Sequence, residues 1–343
     1  MNPIKTLDYG HWVSGDDTQR KAFAKSLHDQ LVELGFLKLK NYGMSDDYVD
    51  HLFNLTEEFF KLPYEDKKKI AYFHGPKLQR GWSSLGSEKS ATLDSPENQS
   101  HADLHDAKEH FDCGAAEDAA YPNQWPDASA IDGFQHGIEH YFDQCQKIGL
   151  NLMEALEMGF DLPPRCLQTR FAEHASQLRL NHYPPIQAAK LKDGSTNRLW
   201  PHTDYGILTF LLQDTVGGLE IWDNVNQAGF IPVPTSPRRE MIVNAGGTLE
   251  RLTNDFLKAG LHRVVSPATA DDEGMLPGRY SIAFFLHTSR TTSAAPLPSF
   301  ISADHPSLYE DITTFEFERR RTEKTYKDEA PIANGQEQKE IAV

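Results

Sequence analysis

The sequence predicts a mainly β protein in which an antiparallel sandwich or barrel follows a helical N-terminal region. Three patterns support this prediction. The opening part of the chain alternates helix, strand and helix patterns, a long helical stripe occupies the middle, and short strands separated by turns follow Ser176. Strands of this length, closely spaced, are typical of an all-β core.

The N-terminal region contains two predicted helices with a strand between them. Apolar residues at helical spacing follow Asp16 and end at Gly35, and Phe36–Lys40 then alternates as a strand does. A second helix is predicted to begin at a Ser45 cap and to end before Pro63.

The segment Gly86–Gln135 has a different character. It holds eleven acidic residues and two lysines, which is −9 of the chain's formal charge of −16. Its glycine, serine, proline and asparagine content is typical of loops. We therefore predict a long excursion over the surface, which is either a functional lid or a solvated cover.

A long spine helix is predicted from Phe134 to a stop at Gly159, and a charged tail from about Ile312 predicts one more helix before a disordered end at Asn334–Val343. The short strands predicted between them are Gln177–Tyr183, Ile207–Gln213, Gly218–Trp222, Phe230–Val233, Glu240–Asn244, Leu261–Val265 and Arg279–His287.

A length of 343 residues allows one or two domains. We expect a single β unit with an N-terminal elaboration. Its divisions are residues 1–135 for the N-terminal region with the acidic segment 86–135, 136–175 for the spine helix and connector, 176–290 for the core, and 291–343 for the C-terminal helix and tail.

Composition excludes several classes of function. A net charge of −16 without a large basic patch argues against nucleic-acid binding. No apolar run approaches the ~18 residues of a membrane span. Three cysteines without a CxxC pair indicate a reducing compartment. We expect a cytoplasmic monomer or weak dimer whose partner is a small molecule.

One set of residues is suited to hold a metal ion. His202 and Asp204 lie two apart in a strand-like context, so both side chains can leave one face of a sheet. His262, among β-forming residues, can supply a third ligand. Two histidines and one carboxylate form the facial triad of non-haem Fe(II) oxygenases. Alone, however, an H-x-D pair is more often a simple hydrogen-bonded pair.

Two further strands carry polar residues at alternate positions. Arg279 and Ser281 can cradle a carboxylate, although Arg279 could equally pair with one of the many acids. Arg179, Asn181 and Tyr183 indicate either a liganded interior or a polar face turned to solvent, and the pattern does not decide between them.

The motifs decide the interpretation when they are taken together. Five motifs follow one another along the chain: N-H-Y-P-P, H-T-D-Y-G-I-L-T-F-L-L-Q-D, G-G-L-E-I-W, L-H-R-V-V and R-Y-S-I-A-F-F. In this order and spacing they resemble the iron(II)/2-oxoglutarate-dependent oxygenases of the isopenicillin N synthase-like family. Two earlier segments resemble that family's N-terminal region: L-G-F-L-K-L-K-N-Y-G and E-E-F-F-K-L-P-Y-E-D-K. Two more segments resemble its microbial members: R-G-W-S-S-L-G-S-E-K and K-E-H-F-D-C-G. The likeness covers nearly the whole chain.

The resemblance implies a double-stranded β-helix, or jelly roll, flanked by N-terminal helices and a C-terminal helix. It implies Fe(II) held by His202, Asp204 and His262, and 2-oxoglutarate held by Arg279 and Ser281, with Tyr183 on the distal carboxylate and Asn181 near the chelating end. The implied reaction consumes O₂, converts 2-oxoglutarate into succinate and CO₂, and oxidises a C–H bond of a small molecule, most simply by hydroxylation. Secondary metabolism is the expected setting, with ascorbate as an optional stimulant.

The family also implies where the substrate binds. The pocket is expected between about Ala71–Asp112 and the region after Thr288, with Arg80, Trp82, Phe111 and Phe210 as candidate lining residues. For the three aromatic residues, a place in the core is an equally good interpretation. Arg80 could equally be an exposed pairing residue.

Three positions depart from the family pattern. His182 stands where a tyrosine is more usual, Gly246-Gly247-Thr248-Leu249 replaces a G-D-x-L turn, and the interval between His262 and Arg279 is long. A longer hairpin loop explains the last of these.

Three alternatives remain open. One is an oxidase of the same family, or an ethylene-forming enzyme, that does not couple 2-oxoglutarate to hydroxylation. The others are a jelly roll that only binds a ligand and a zinc hydrolase that uses the same three ligands.

Overall fold

The structure is a computed structural model that describes residues 3–72, 78–88, 90, 104–192, 196–235, 240–267 and 274–325. The predicted disordered end at Asn334–Val343 lies outside these residues. Within them, no helix is both long and apolar enough to span a bilayer.

Eight α-helices and sixteen strands are found among the described residues. The helices are α1 Gly10–Val13, α2 Asp17–Glu33, α3 Asp46–Lys61, α4 Tyr64–Lys68, α5 Phe134–Gly159, α6 Ala188–Lys192, α7 Gly247–Leu252 and α8 Thr314–Thr325. The strands are β1 Thr6–Asp8, β2 Phe36–Lys40, β3 Gly81–Ser83, β4 His105–Asp106, β5 Glu109–Gly114, β6 Gln177–Tyr183, β7 Ile186–Gln187, β8 Thr196–Asn197, β9 Leu199–His202, β10 Leu208–Gln213, β11 Leu219–Trp222, β12 Phe230–Pro232, β13 Met241–Ala245, β14 His262–Val264, β15 Met275–Leu276 and β16 Arg279–Leu286.

The strands form a jelly roll of two principal sheets. The large sheet has eight strands in the order β1-β2-β13-β10-β16-β6-β5-β3, and the small sheet has four in the order β12-β11-β14-β9. All neighbouring strands in these two sheets are antiparallel except β1 and β2. Because strands from the N-terminal region occupy both ends of the large sheet, that region is part of the core architecture.

Strict alternation gives the large sheet two chemically different faces. Along β10, Leu208, Phe210 and Leu212 belong to the main hydrophobic core, whereas Thr209 on the other face binds Asp204. We call the face that carries Thr209 the inner face, and it looks towards the small sheet. Successive side chains of a strand point to opposite faces, so the same parity orders the neighbouring strands.

The outer face packs against helices. Phe284 of β16 meets Phe142 of α5 edge-on with ring centroids 5.1 Å apart, and Phe111 of β5 lies 4.8 Å from Phe59 of α3. All four rings are almost completely buried. This apolar layer explains why α2, α3 and α5 keep a single buried stripe.

The predicted helix starts are confirmed in detail. Asp16 caps α2 in a capping box with Gln19, and the Ser45 hydroxyl accepts a hydrogen bond from the Tyr48 amide at the start of α3. Such caps stabilise a helix by about 1 kcal/mol. The seven predicted strands and the spine helix are also present, with ends that differ from prediction by one or two residues at most.

The prediction of a surface excursion over Gly86–Gln135 is wrong for its central part. Strand β5 is buried at all six positions, between β3 and β6 of the large sheet. Its acids misled the prediction because buried cations on neighbouring elements neutralise them. Residues 91–103 of the segment lie outside the described residues.

Candidate active site

The three predicted metal ligands meet between two strands of the small sheet. His202 ends β9 and His262 begins β14, where the two residues are antiparallel partners with ring centroids 4.3 Å apart. Asp204 lies in the turn that follows β9 rather than in a strand. One potential ligand atom from each residue can be chosen so that all three lie within 4.8 Å of one another.

Hydrogen bonds fix which atoms face the centre. His202 Nδ1 lies 2.8 Å from the Trp200 carbonyl, and His262 Nδ1 lies 3.0 Å from the Gly260 carbonyl. A carbonyl can only accept, so each Nδ1 is the donor of these bonds, and Nε2 is the ring nitrogen that can ligate a metal. The Nε2 atoms lie 3.8 and 3.9 Å from Asp204 Oδ1. Three donor atoms therefore converge, as a metal ion requires.

The second oxygen of Asp204 is held from outside the cluster. Its Oδ2 accepts hydrogen bonds from Thr209 Oγ1 at 2.6 Å and from Asn244 Nδ2 at 2.8 Å. Both donors lie on the inner face of the large sheet. Partners of this kind orient a carboxylate ligand and are the usual support of a metal site. The sequence did not single out either residue.

The charge states suit a divalent cation. Burial, reinforced by His262, lowers the pKa of His202 to about 4, so its ring is neutral at physiological pH. Burial alone would raise the pKa of Asp204, but the neighbouring histidines and the two hydrogen bonds hold it below its usual value. Two histidines and one carboxylate form the donor set of a non-haem Fe(II) centre.

The predicted cosubstrate residues form a second buried group on the inner face of the large sheet. Arg279 Nη1 donates to Ser281 Oγ at 3.3 Å, and Asn181 Nδ2 donates to the same oxygen at 3.4 Å. The Tyr183 ring lies 5.0 Å from the Arg279 guanidinium carbon. Arg279 Nε has no hydrogen-bond partner among the described residues. A buried donor without an acceptor is what a carboxylate ligand would satisfy.

A row of polar side chains crosses the inner face from this group. Ser83, His110, Asn181 and Ser281 are successive cross-strand partners on β3, β5, β6 and β16. Within the described part of the chain, Ser83 Oγ, His110 Nδ1 and Asn181 Oδ1 have no hydrogen-bond partner, although all three residues are buried; His110 Nε2 lies 3.3 Å from Asp112 Oδ2. We call these four residues the polar row.

The next residues along the same strands are charged and paired. Arg179 Nε donates to Asp112 Oδ1 at 2.8 Å, and its Nη1 donates to Glu88 Oε1 at 3.0 Å. Lys108 also pairs with Glu88. Burial alone would raise the pKa values of Asp112 and Glu88, but the adjacent cations hold both below their usual values. This cluster closes one side of the inner face with balanced charge.

The four predicted pocket residues do not lie together on the inner face. Phe210 stacks on Phe284 with centroids 5.9 Å apart, and Phe111 packs against aromatic rings of the main core, so their packing corrects the prediction that they line a pocket. They have the opposite strand parity to Thr209 and His110.

Trp82 and Arg80 also have structural partners. Trp82 Nε1 donates to Glu109 Oε2 at 2.8 Å on the outer side of β5. Arg80 is buried and pairs with Asp118 at 3.3 Å. Their contacts support the alternative interpretation of Trp82 as a core residue and show Arg80 as a pairing residue that is buried rather than exposed.

The turn Gly246-Gly247-Thr248 supports the loop that carries Asp204 through backbone hydrogen bonds. The Gly247 amide donates to the Asp204 carbonyl at 2.8 Å, and the Thr248 amide donates to the Tyr205 carbonyl at 2.9 Å. A Cβ atom at Gly246 would lie 2.3 Å from the Gly206 carbonyl oxygen. The glycine-rich turn that departs from the family pattern therefore allows two backbone segments to approach closely.

Comparisons with known proteins identify the family. Residues 4–128 match the non-haem dioxygenase in morphine synthesis N-terminal family, and residues 174–288 match the 2OG-Fe(II) oxygenase superfamily. A 2-oxoglutarate-dependent dioxygenase of Aspergillus rugulosus, ecdK, is 43% identical over 94% of this chain and 99% of its own length. The chain belongs to the 2OG-Fe(II) oxygenase superfamily.

Two further relatives show how far the likeness extends. A Neurospora crassa protein crystallised with alpha-KG (2-oxoglutarate) superposes on this oxygenase with a TM-score of 0.82 and 31% identity, covering 93% of this chain and 95% of that chain. A protein of Petromyces alliaceus named as a proline hydroxylase is 36% identical over 94% of this chain and 99% of its own length.

The function class follows from these comparisons. This oxygenase is a 2-oxoglutarate-dependent dioxygenase that uses Fe(II), 2-oxoglutarate and O₂, as the resemblance implied. The predictions of family, fold and enzyme class are thus confirmed. The ligand-only and zinc-hydrolase alternatives are not favoured, because the matched relatives are named as dioxygenases or oxidoreductases.

Proposed function

We propose that His202, Asp204 and His262 hold Fe(II), that Arg279, Ser281, Tyr183 and Asn181 hold 2-oxoglutarate, and that the enzyme hydroxylates a C–H bond of a small polar molecule. The observation that carries this proposal is the convergence of two Nε2 atoms and Asp204 Oδ1, together with a buried, incompletely paired arginine on the inner face. When bound, iron and 2-oxoglutarate supply the oxidising chemistry, with O₂ consumed and succinate and CO₂ released.

The protein's own residues orient the metal ligands, bind the cosubstrate and exclude water. Thr209 and Asn244 fix the orientation of the Asp204 carboxylate, and the backbone carbonyls of Trp200 and Gly260 fix the two imidazole rings. The guanidinium of Arg279 and the hydroxyl of Ser281 are suited to hold a distal carboxylate. Burial of these groups keeps bulk water away from them.

The polar row supports a polar substrate. Ser83, His110 and Asn181 bring buried atoms without partners to the inner face, and leaving such atoms unsatisfied costs about 1–3 kcal/mol each. A substrate with hydrogen-bonding groups would remove that cost. Relatives with named small polar ligands are consistent with this: one is named a proline hydroxylase, and the Neurospora crassa protein was also crystallised with thymine.

We infer a role in secondary metabolism, in agreement with the likeness to microbial members of the family. The genes that neighbour the coding sequence would test this inference, because a biosynthetic cluster would name the pathway. We also expect a cytoplasmic monomer or weak dimer. The free thiols of Cys113 and Cys145 are consistent with a reducing compartment, and sedimentation would give the oligomeric state.

The experiment is a succinate assay with purified protein reconstituted anaerobically with Fe(II). Small polar candidates, including proline and thymine, are added with 2-oxoglutarate and O₂, and succinate is measured with and without each candidate. We expect succinate formation that requires iron, 2-oxoglutarate and one substrate class. Iron-loaded protein that fails to bind 2-oxoglutarate would contradict the proposal.

Two controls sharpen the assay. His202→Ala should abolish succinate formation and keep the circular dichroism spectrum, whereas His51→Ala, on the exposed surface of α3, should keep both. Analysis of the headspace for ethylene separates hydroxylation from fragmentation of 2-oxoglutarate.

A further inference from the structure

Two buried arginines belong to the cosubstrate end of the site. Arg198 precedes β9, the strand that ends in His202, and Arg279 begins β16; their exposed fractions are 0% and 1%. Arg198 Nη2 donates to the Pro277 carbonyl at 2.5 Å, two residues before Arg279. The guanidinium of Arg198 therefore lies against the segment that leads into the predicted 2-oxoglutarate anchor.

Neither arginine has an acidic partner among the residues that the structure describes. Arg198 Nε and Nη1 have no hydrogen-bond acceptor, and neither does Arg279 Nε. The remaining bonds of Arg279 go to the uncharged side chains of Gln213 and Ser281. The nearby Asp214 accepts the backbone amides of Tyr280 and Val216 instead.

Two other buried arginines of this protein, Arg179 and Arg80, show the contrast. Arg179 is paired with Asp112 and Glu88, and Arg80 with Asp118. Arg198 and Arg279 instead repel each other: burial and the charge of Arg279 lower the pKa of Arg198 to about 10, despite partial compensation from Tyr183 and Asp214. Arg198 stays protonated at neutral pH, so two buried positive charges act on each other without a carboxylate directly paired to either of them among the described residues.

We propose that Arg198 is a second cationic anchor for the distal carboxylate of 2-oxoglutarate and acts together with Arg279. This inference rests on the proposed function, which assigns that carboxylate to Arg279 and Ser281. Tyr183 supports a shared chamber, because its ring lies 5.0 Å from the Arg279 guanidinium carbon and the residue is close enough to Arg198 to affect the pKa of that arginine. A carboxylate between the guanidiniums would accept from the free N–H groups and relieve the repulsion.

The shared anchor also assigns a specificity role. A 2-oxo acid of the same length without the distal carboxylate, such as 2-oxopentanoate, would leave both cations uncompensated. Arg198 should therefore contribute to the affinity for 2-oxoglutarate and contribute nothing to the affinity for 2-oxopentanoate. A residue that only supports the fold would affect the two acids alike.

The test is anaerobic binding of both acids to Fe(II)-loaded protein, followed by calorimetry and by the absorption change at the iron. We expect Arg198→Met to weaken 2-oxoglutarate binding about tenfold to hundredfold, in line with loss of a charged hydrogen bond. Binding of 2-oxopentanoate should change less than about twofold, and Arg198→Lys should recover part of the loss because it keeps the charge.

Melting temperature gives an independent readout. Without any ligand, Arg198→Met should be at least as stable as the wild type, because removing an unpaired buried charge relieves repulsion. Its stabilisation by saturating 2-oxoglutarate should be smaller. Arg251→Met is the control: Arg251 is buried in α7 and donates to the carbonyls of Ala294 and Glu310 away from this chamber, so affinity for both acids should not change.

Three results would overturn the inference. They are equal losses for both acids in Arg198→Met, no loss for either, or a marked loss of stability without ligand. Wild-type protein that binds no 2-oxoglutarate would overturn the proposed function and this inference with it, so the two failures are distinguishable.

Discussion

Arg321 Nη2 donates a hydrogen bond of 2.9 Å to Thr203 Oγ1, the hydroxyl of the residue between the two ligands His202 and Asp204. The same guanidinium lies 5.0 Å from the centre of the Tyr205 ring. Arg321 belongs to α8, so the C-terminal helix is tied directly to the metal-binding turn. This contact is distant in sequence and has no signature in the motif itself.

We predict that Arg321→Met lowers iron affinity about tenfold, because the turn that carries two ligands loses an outside support. Titration of metal-free protein with Fe(II) under anaerobic conditions measures the effect. Arg320→Met is the control, since Arg320 lies on the same helix and pairs with Glu310 and Glu316 at the surface. Equal affinities in the two variants would refute the support role.

Thr209→Val should weaken iron binding by about 10–100-fold, because Asp204 loses the 2.6 Å hydrogen bond that orients it. The exchange conserves shape, so the fold should persist. Thr56→Val is the matched control: this threonine is equally buried in α3 and bonds only the Leu52 carbonyl. A similar loss of iron affinity in the control would show a general effect of the substitution.

Arg179→Met should lower the free energy of unfolding by about 3–5 kcal/mol, because Asp112 would remain buried without its arginine and Glu88 would lose one of its cations. Urea denaturation of the metal-free protein measures this. Arg20→Met removes the exposed pair with Glu154 and should cost less than about 1 kcal/mol. Comparable losses for the two variants would contradict the importance of burial.

His110 should make the stability depend on pH. Burial, reinforced by Arg179, lowers the pKa of its ring from 6.5 to about 4, with Asp112 opposing this shift. Between these values the unfolded chain binds a proton that the folded protein does not. Stability therefore falls as pH decreases from about 6.5 to 4, by at most about 3 kcal/mol for this group.

Replacement of His110 by glutamine should flatten that dependence. Chemical denaturation at pH 6.5 and pH 4.5 would compare the two proteins, and His51→Gln, on the exposed surface of α3, would control for loss of a histidine. An unchanged difference between the two pH values in His110→Gln would show that other groups cause the acid sensitivity.

The sequence predicted those parts of the fold whose hydrophobic pattern is local. α2, α3 and α5 carry one apolar stripe each, and the strands from β6 onwards alternate or form apolar runs between turns. β5 escaped prediction because its acids are neutralised by Lys67 and Arg179, which come from other elements. Pairing of this kind is decided by tertiary structure.

The site was predictable where residue type and motif coincide. His202, Asp204 and His262 meet as expected, and Arg279, Ser281, Asn181 and Tyr183 lie together. The prediction that Phe111 and Phe210 line the pocket fails because residue type alone does not show which face of a strand a side chain occupies. The pairing of His110 with Asn181 and of Thr209 with Asn244 shows which side chains face inwards, and the two phenylalanines are their neighbours on the opposite face. A lone arginine such as Arg198 has no pattern to mark it.

The arrangement of the large sheet has a consequence for biosynthesis. Leu39 of β2 pairs with Met241 of β13, and Phe111 of β5 pairs with Leu180 of β6. During translation β2 and β5 can pair with β1 and β3, but their other edges must wait until β13 and β6 emerge from the ribosome, which slows assembly of the sheet. A fragment that begins after β5 would expose β13 and β6 as bare edges and should aggregate, so the metal site cannot be produced as an isolated barrel.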